Sequence, residues 1–305
     1  YFHTRRKFVK KLVKGAGTGL LLPPALAVAG FGCSSPGQQK NGAAAPPDKP
    51  ETGKKAGFAL VGLGSYSTRQ LAPALQQTTY AELSGIVTGT PAKAEKWKEQ
   101  YGISDKNIYN YQTFDQIADN PDIDVVYVVL PNCMHAEYTI RAAEAGKHVL
   151  CEKPMACSAE EARQMIDACK ANNVKLGIGY RLHHEPYNRE MMRLGQEEVF
   201  GKVTAIDTGF AFVIGDPDQW RLDHSLAGGG ALMDLGVYTI QGACYTKGLN
   251  PVAVTAREMK TDMEKFAEVD ETIEFTLKFA DGTEAACQTS YNNKMNYLKA
   301  TAENG

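Results

Sequence analysis

Three polar side chains in this sequence have the types and spacing to move a proton at a hydroxyl-bearing carbon. Lys153 sits in Cys151-Glu152-Lys153-Pro154, directly after a strand-like run. Asp234 and Tyr238 lie one helical turn apart in Gly228-Gly229-Gly230-Ala231-Leu232-Met233-Asp234-Leu235-Gly236-Val237-Tyr238. The glycines there read as a loop, and a helix is predicted from Ala231 to about Tyr245, so both side chains project from one helix face. A phenol takes and returns a proton if a neighbouring ammonium favours its anion, and Lys153 would be that ammonium only if the fold brings it beside Tyr238. Each residue also has a plain structural reading: Lys-Pro as an ordinary turn, Asp234 as a cap or solvated carboxylate, Tyr238 as core packing.

A second constellation provides for hydride transfer. Gly62-Leu63-Gly64-Ser65-Tyr66-Ser67 follows the strand-like Phe58-Ala59-Leu60-Val61. Gly62 permits a tight turn, and Gly64 lets the backbone approach a pyrophosphate seated at the next helix N-terminus. Ser67 stands where a third glycine is usual and can serve as a helix N-cap. On the first strand of a βαβ pattern, this turn predicts a nicotinamide dinucleotide. The second strand ends in Ile86-Val87-Thr88-Gly89, with no acid to hold a ribose 2′-hydroxyl or repel a 2′-phosphate, and Lys93 follows in the next turn. That favours NADP over NAD, the plain alternative being an exposed lysine opening a helix.

The elements that must position these residues alternate. Strand-like runs are predicted at Phe58–Gly62, Leu83–Thr88, Val125–Leu130, His148–Cys151 and Leu176–Gly179, and helices near Thr68–Gln77, Ala92–Tyr101, Ala136–Ala145 and Ala159–Ala171. Continuous valine-rich strands suit a parallel sheet covered on both faces, so the class is α/β with a doubly wound Rossmann sheet. The 305 residues, 43% hydrophobic and 22% charged, suffice for two cored domains. A net charge of −2 without a basic stripe gives nucleic acid no electrostatic footprint. Seven scattered cysteines show no C-x-x-C pair and no metal-ligand spacing, and read as buried small apolar residues, not a disulfide framework. Tyr1 is not Met, and both ends read as those of a fragment.

The first 33 residues read as a twin-arginine export signal, with Thr4-Arg5-Arg6-Lys7-Phe8 before a short, glycine-rich apolar run. Cleavage after Ala25-Leu26-Ala27 or Ala27-Val28-Ala29, or lipidation of Cys33, are open alternatives. Residues 34–55 read as a flexible arm. The Tat machinery is therefore an expected partner and the periplasm the expected location. A cofactor used there must be carried out bound and regenerated in place.

Three segments together resemble the Gfo/Idh/MocA oxidoreductases: the glycine turn, Ala-Gly-Lys-His-Val-Leu-Cys-Glu-Lys-Pro at 145–154, and the Gly228–Tyr238 run. Tyr238, where many members carry His, and the leader are similar to the exported glucose–fructose branch. The resemblance implies a Rossmann domain over 56–180. It also implies a substrate and oligomerisation domain over 181–305, incomplete, with a large, mainly antiparallel sheet whose open face builds a homo-oligomer. It implies tightly held NADP, with NAD as the lesser option. Thr88, Lys93 and Tyr111 would surround the 2′-phosphate. Gly62, Gly64, Ser65, Tyr66 and Ser67 would form the pyrophosphate turn. Leu130, Pro131, Asn132, His135, Glu152, Lys153 and Arg181 would line the rest of the cofactor site. Lys153, Asp234 and Tyr238 match catalytic positions, and Tyr180, Trp220 and Arg221 would line the sugar. The activity implied is oxidation of an aldose at C1 and reduction of a ketose, with no metal. The rivals are a nicotinamide-dependent glycoside hydrolase, a non-catalytic sensor, and a sugar or polyol dehydrogenase with exchangeable cofactor.

Overall fold

The computed structural model describes residues 53–305, so the predicted export signal and residues 34–52 of the arm lie outside the described residues. Strands β1 (Ala56–Val61), β2 (Ala81–Val87), β3 (Ile108–Tyr109), β4 (Val125–Val128), β5 (His148–Glu152) and β6 (Leu176–Gly179) form the first sheet. Their order is β3-β2-β1-β4-β5-β6, and every neighbouring pair is parallel. The order reverses between β1 and β4, where the crevice of a doubly wound sheet opens at the strand carboxyl ends. Helices α1 (residues 65–75), α2 (Pro91–Tyr101), α3 (His135–Glu144) and α4 (Ala159–Ala171) are the crossovers.

The strands lie within two residues of their predicted bounds, except that β3 was not anticipated, since two residues carry no period. Helices cover both faces of the sheet. One core gathers Val61, Val126, Val128, Val149 and Met165, and the other Leu60, Ile86 and Trp97. Fully burying one such side chain contributes about 1.5–3 kcal/mol, which is why unbroken apolar runs become central strands.

The second sheet packs its inner face on one long helix. Strands β7 (Val203–Ala211), β8 (Ala253–Met259), β9 (Thr272–Lys278), β10 (Glu284–Ser290) and β11 (Met295–Ala302) are ordered β11-β7-β10-β9-β8. All neighbours are antiparallel except β10 with β7. Ile206, Ile273, Phe275, Leu277 and Ala285 alternate inward against Ala243 of α7 (residues 231–247). The opposite face carries Asp207, Arg257, Glu274, Gln288 and Tyr297 around a shallow concavity. Helices α5 (Pro186–Gln196) and α6 (His224–Ala227) complete the layer. Among the described residues no helix is long and apolar enough to cross a membrane.

Candidate active site

The glycine turn closes as its spacing requires. Gly62 has φ +93°, and a Cβ there would lie 2.4 Å from the Val129 carbonyl oxygen, so only glycine fits. Ser67 departs from its predicted capping role. It is fully buried inside the helix, and its hydroxyl donates to the Gly62 carbonyl at 2.6 Å, tying the turn to α1. A Cβ built on Gly64 meets no atom within 4 Å, so the turn faces open space. The first amides of α1 have no partner within their own helix, which is the donor set a pyrophosphate needs. Ser65 and Tyr66 are exposed beside them.

The end of β2 collects its expected neighbours. Thr88 is buried and its Oγ1 accepts the Thr90 amide at 3.2 Å. Lys93 Nζ donates to the Leu63 carbonyl at 3.0 Å, which places the ammonium beside the glycine turn. The Tyr111 ring lies against Gly89. These groups fit a 2′-phosphate, and no carboxylate ends the strand.

The chemistry-bearing side chains meet where the two sheets' elements adjoin. Lys153 leaves the end of β5 and donates to Asp234 Oδ1 at 2.7 Å and to the Asp234 carbonyl at 2.5 Å. Arg221 Nε donates to Asp234 Oδ2 at 2.8 Å, and the Tyr291 hydroxyl donates to the same oxygen at 3.0 Å. The Arg221 guanidinium stacks on the Trp220 ring, 4.5 Å from its centroid. Asp234 is 4% exposed, so it neither caps nor faces solvent. Burial opposes its charge, but Lys153 and Arg221 outweigh that cost and hold its carboxyl down to about 2. Residues Leu232–Gly236 of α7 form a π turn, which leads into the α-helical Val237–Lys247.

Tyr238 requires a correction. Its ring face, not its hydroxyl, meets Lys153, with Nζ 4.8 Å from the centroid. Burial, followed by the charge of Glu152, pushes its phenol well up, with Arg181 opposing. Lys153 thus gives its hydrogen bonds to Asp234 and not to the Tyr238 hydroxyl. Glu152 and Arg181 act on Tyr66 as well, so all four lie near one another. Glu152 is fixed by the Tyr127 hydroxyl, which donates to its Oε1 at 2.5 Å, and burial pushes its carboxyl up. Tyr180 leaves β6 half-buried.

Asn132 and His135 lie beneath the site and do not line it. Asn132 Nδ2 donates to the Ala227 carbonyl at 2.9 Å. His135 is fully buried, with Nδ1 2.7 Å from the Pro154 oxygen and Nε2 2.9 Å from the Leu130 oxygen. Leu130 is buried and Pro131 partly so.

Five of these residues had roles not visible beforehand. Tyr127 in β4 and Tyr291, directly after β10, reach Glu152 and Asp234 without any local signal. Asp270 accepts the amides of Gly230 and Leu232 at 2.6 and 2.7 Å, holding the glycine loop. Cys133 and Cys157 form a disulfide, which overturns the reading of all cysteines as buried thiols. Their separation of 24 residues has no motif to announce it. Gly228 packs on this bridge at φ +71°, and a Cβ there would fall 2.4 Å from Cys157 Sγ. Gly228→Ala is therefore expected to cost more than about 1 kcal/mol, read as a lowered urea midpoint. An unchanged midpoint would refute the packing.

Residues 56–180 match the profile of the oxidoreductase family, NAD-binding Rossmann fold (GFO_IDH_MocA), and residues 188–303 match the GFO/IDH/MocA C-terminal domain. The aldose-aldose oxidoreductase from Caulobacter crescentus, solved with glycerol, is 45% identical with a TM-score of 0.80, over 82% of this chain and 75% of that one. D-xylose 1-dehydrogenase [NADP(+)] from Haloarcula marismortui is 34% identical over 77% of this chain and 66% of that protein. Levoglucosan dehydrogenase, solved with NADH and levoglucosan, is 27% identical with a TM-score of 0.71, over 82% of this chain and 71% of that one. The chain thus spans about two thirds to three quarters of the length of these relatives. By its two profile matches and the sheet order that carries its glycine turn, the chain belongs to the Gfo/Idh/MocA oxidoreductases.

Proposed function

We propose that this chain is an exported NADP-dependent sugar oxidoreductase of the glucose–fructose type, oxidising an aldose at C1 and reducing a ketose with one resident cofactor. The observation that carries this reading is the Lys153–Asp234–Arg221 array beside Tyr238, at the carboxyl edge of the parallel sheet. The likeness to an aldose-aldose oxidoreductase supports the two-sugar cycle. The basic leader supports export, and the polar open face of the second sheet fits a homo-oligomer.

NADP, when bound, supplies hydride acceptance and return. The residues that would hold it are the glycine turn, Thr88, Lys93 and Tyr111 at the adenosine end, with Leu130, Pro131, Glu152, Lys153 and Arg181 at the other. Tyr238 as the phenol donates to the ketose carbonyl oxygen, and as the phenolate left behind it takes the C1 hydroxyl proton in the opposite direction. Lys153 donates a hydrogen bond to the reacting oxygen. Asp234 keeps Lys153 aimed. Tyr180, Trp220 and Arg221 line the sugar.

The test uses dialysed full-length protein without added nucleotide. Near-ultraviolet absorbance of reduced nicotinamide should rise with glucose and vanish with fructose. A dehydrogenase with exchangeable cofactor would need added NADP instead. Thr88→Asp should shift preference toward NAD by about tenfold or more, because a carboxylate repels the 2′-phosphate and accepts from a 2′-hydroxyl. The ratio of kcat/KM for the two nucleotides reads this directly, and an unchanged ratio rejects the assignment of this strand end.

A further inference from the structure

We propose that the Cys133–Cys157 disulfide is a positioning cross-link for the reaction, holding the loops after β4 and β5 in register with the glycine loop that delivers Asp234. The inference rests on the functional reading above and extends it to a part of the molecule that reading does not use.

The bridge joins two segments that meet the site from different strands. Cys133 lies in the turn Asn132–Met134 beyond β4, directly after Pro131. Cys157 follows Lys153-Pro154 beyond β5. Both cysteines are partly exposed, so a reductant can reach them. The bridge is one of three ties made by the β4 loop. On one side His135 spans the Leu130 and Pro154 carbonyls. On the other, Asn132 Nδ2 holds the Ala227 carbonyl.

Gly228 sits on both sulfurs. A Cβ at that position would lie 2.4 Å from Cys157 Sγ and 3.1 Å from Cys133 Sγ. Gly228 opens the segment whose Gly230 and Leu232 amides are held by Asp270 and whose π turn carries Asp234. The Cys157 end is itself fixed. Its amide donates to Glu161 Oε2 at 3.0 Å, while Ser158 Oγ caps α4 by accepting the Glu161 amide at 3.1 Å. One covalent link thus ties the β4 loop to the Lys153 loop and α4, and the Asp234 loop packs on that link through Gly228. Such a bond persists in an oxidising compartment and opens in a reducing one.

Opening it is a two-electron exchange. A dithiothreitol thiolate attacks one sulfur and forms a mixed disulfide. Its second thiol then displaces the protein sulfur, leaving two protein thiols and cyclic oxidised reagent. Cys151, Cys169, Cys244 and Cys287 are already reduced.

The experiment measures the NADP release rate from full-length protein loaded with NADP, before reduction by dithiothreitol, after it, and after reoxidation. Far-ultraviolet circular dichroism is recorded in parallel. Release at least about tenfold faster on reduction, reversed on reoxidation with the spectrum intact, is the expected result. The double variant Cys133→Ser/Cys157→Ser should match the reduced protein. A lowered Tm with unchanged release would overturn the proposal, since a bridge that only stabilises the fold gives that result. Global unfolding on reduction would overturn it equally. If the oxidised protein binds no NADP, the functional reading falls by itself. Amide exchange at 130–136 and 228–236 then decides the inference: faster exchange on reduction supports it, and unchanged exchange rejects it.

Discussion

Tyr238→Phe is expected to lower turnover with glucose and fructose by about 10²–10⁴-fold while leaving NADP bound and the Tm unchanged. The phenol is the group that the geometry leaves for proton transfer. Lys153 is committed to Asp234, and Glu152 is held by Tyr127. Phenylalanine keeps the ring face that packs under Lys153 and against Phe210, whose centroid is 4.9 Å away, so packing is preserved and only the proton is lost. The pH profile gives a second reading. Burial and the Glu152 charge raise the Tyr238 phenol above its ordinary value. The base form is then scarce at neutral pH and grows about tenfold per pH unit without reaching a plateau near 10. Aldose oxidation by the wild type should therefore climb with pH through the neutral range, whereas ketose reduction, which uses the protonated phenol, should not. Turnover of the variant within several-fold of wild type, or parallel profiles for both, would remove Tyr238 from the proton path.

The parallel sheet was legible because its strands are buried on both faces and so read as unbroken apolar runs. Val125 to Val128 is one of them. The glycine turn was legible for a similar reason, since backbone geometry at Gly62 restricts the residue type itself. Lys153, Asp234 and Tyr238 stood out as a set only through their neighbours in sequence. Their partners carried no local signal. Tyr291 is 57 residues from Asp234, and nothing near it distinguishes a buried phenol with a charged partner from one without. The direction of the Tyr238 shift was misread for the same reason. The resemblance implies that Lys153 and Tyr238 approach one another, but not that the ammonium faces the ring and gives its hydrogen bonds to a carboxylate. The second sheet was expected only from the resemblance, because strands such as β8, exposed along nearly its whole length, lack the alternation that marks a half-buried strand.

Asp234→Asn should be the most damaging conservative change to stability. Three donors converge on this carboxylate: Lys153 Nζ, Arg221 Nε and the Tyr291 hydroxyl. An amide has one oxygen, so in either orientation its NH₂ group faces a donor. Removing one partner of a buried ion pair costs about 3–5 kcal/mol, because the remaining charges lose their compensation. At about 2–4 °C per kcal/mol for a chain of this size, Tm should fall by roughly 10 °C. The sign of the pH dependence follows from the carboxyl being held at about 2. An unfolded aspartate titrates near about 3.9, so the folded state gains about 2–3 kcal/mol from this group above that pH and loses the gain as pH falls toward 2. The stability gap between wild type and variant should be constant from pH 7 to about 5 and narrow below about 4. Urea melts at several pH values measure it. A gap that stays constant to pH 3, or a variant as stable as wild type at pH 7, would show that Asp234 is not held charged by Lys153 and Arg221. With Lys153 released from its carboxylate, activity should fall along with stability, whereas Tyr238→Phe should lower activity alone.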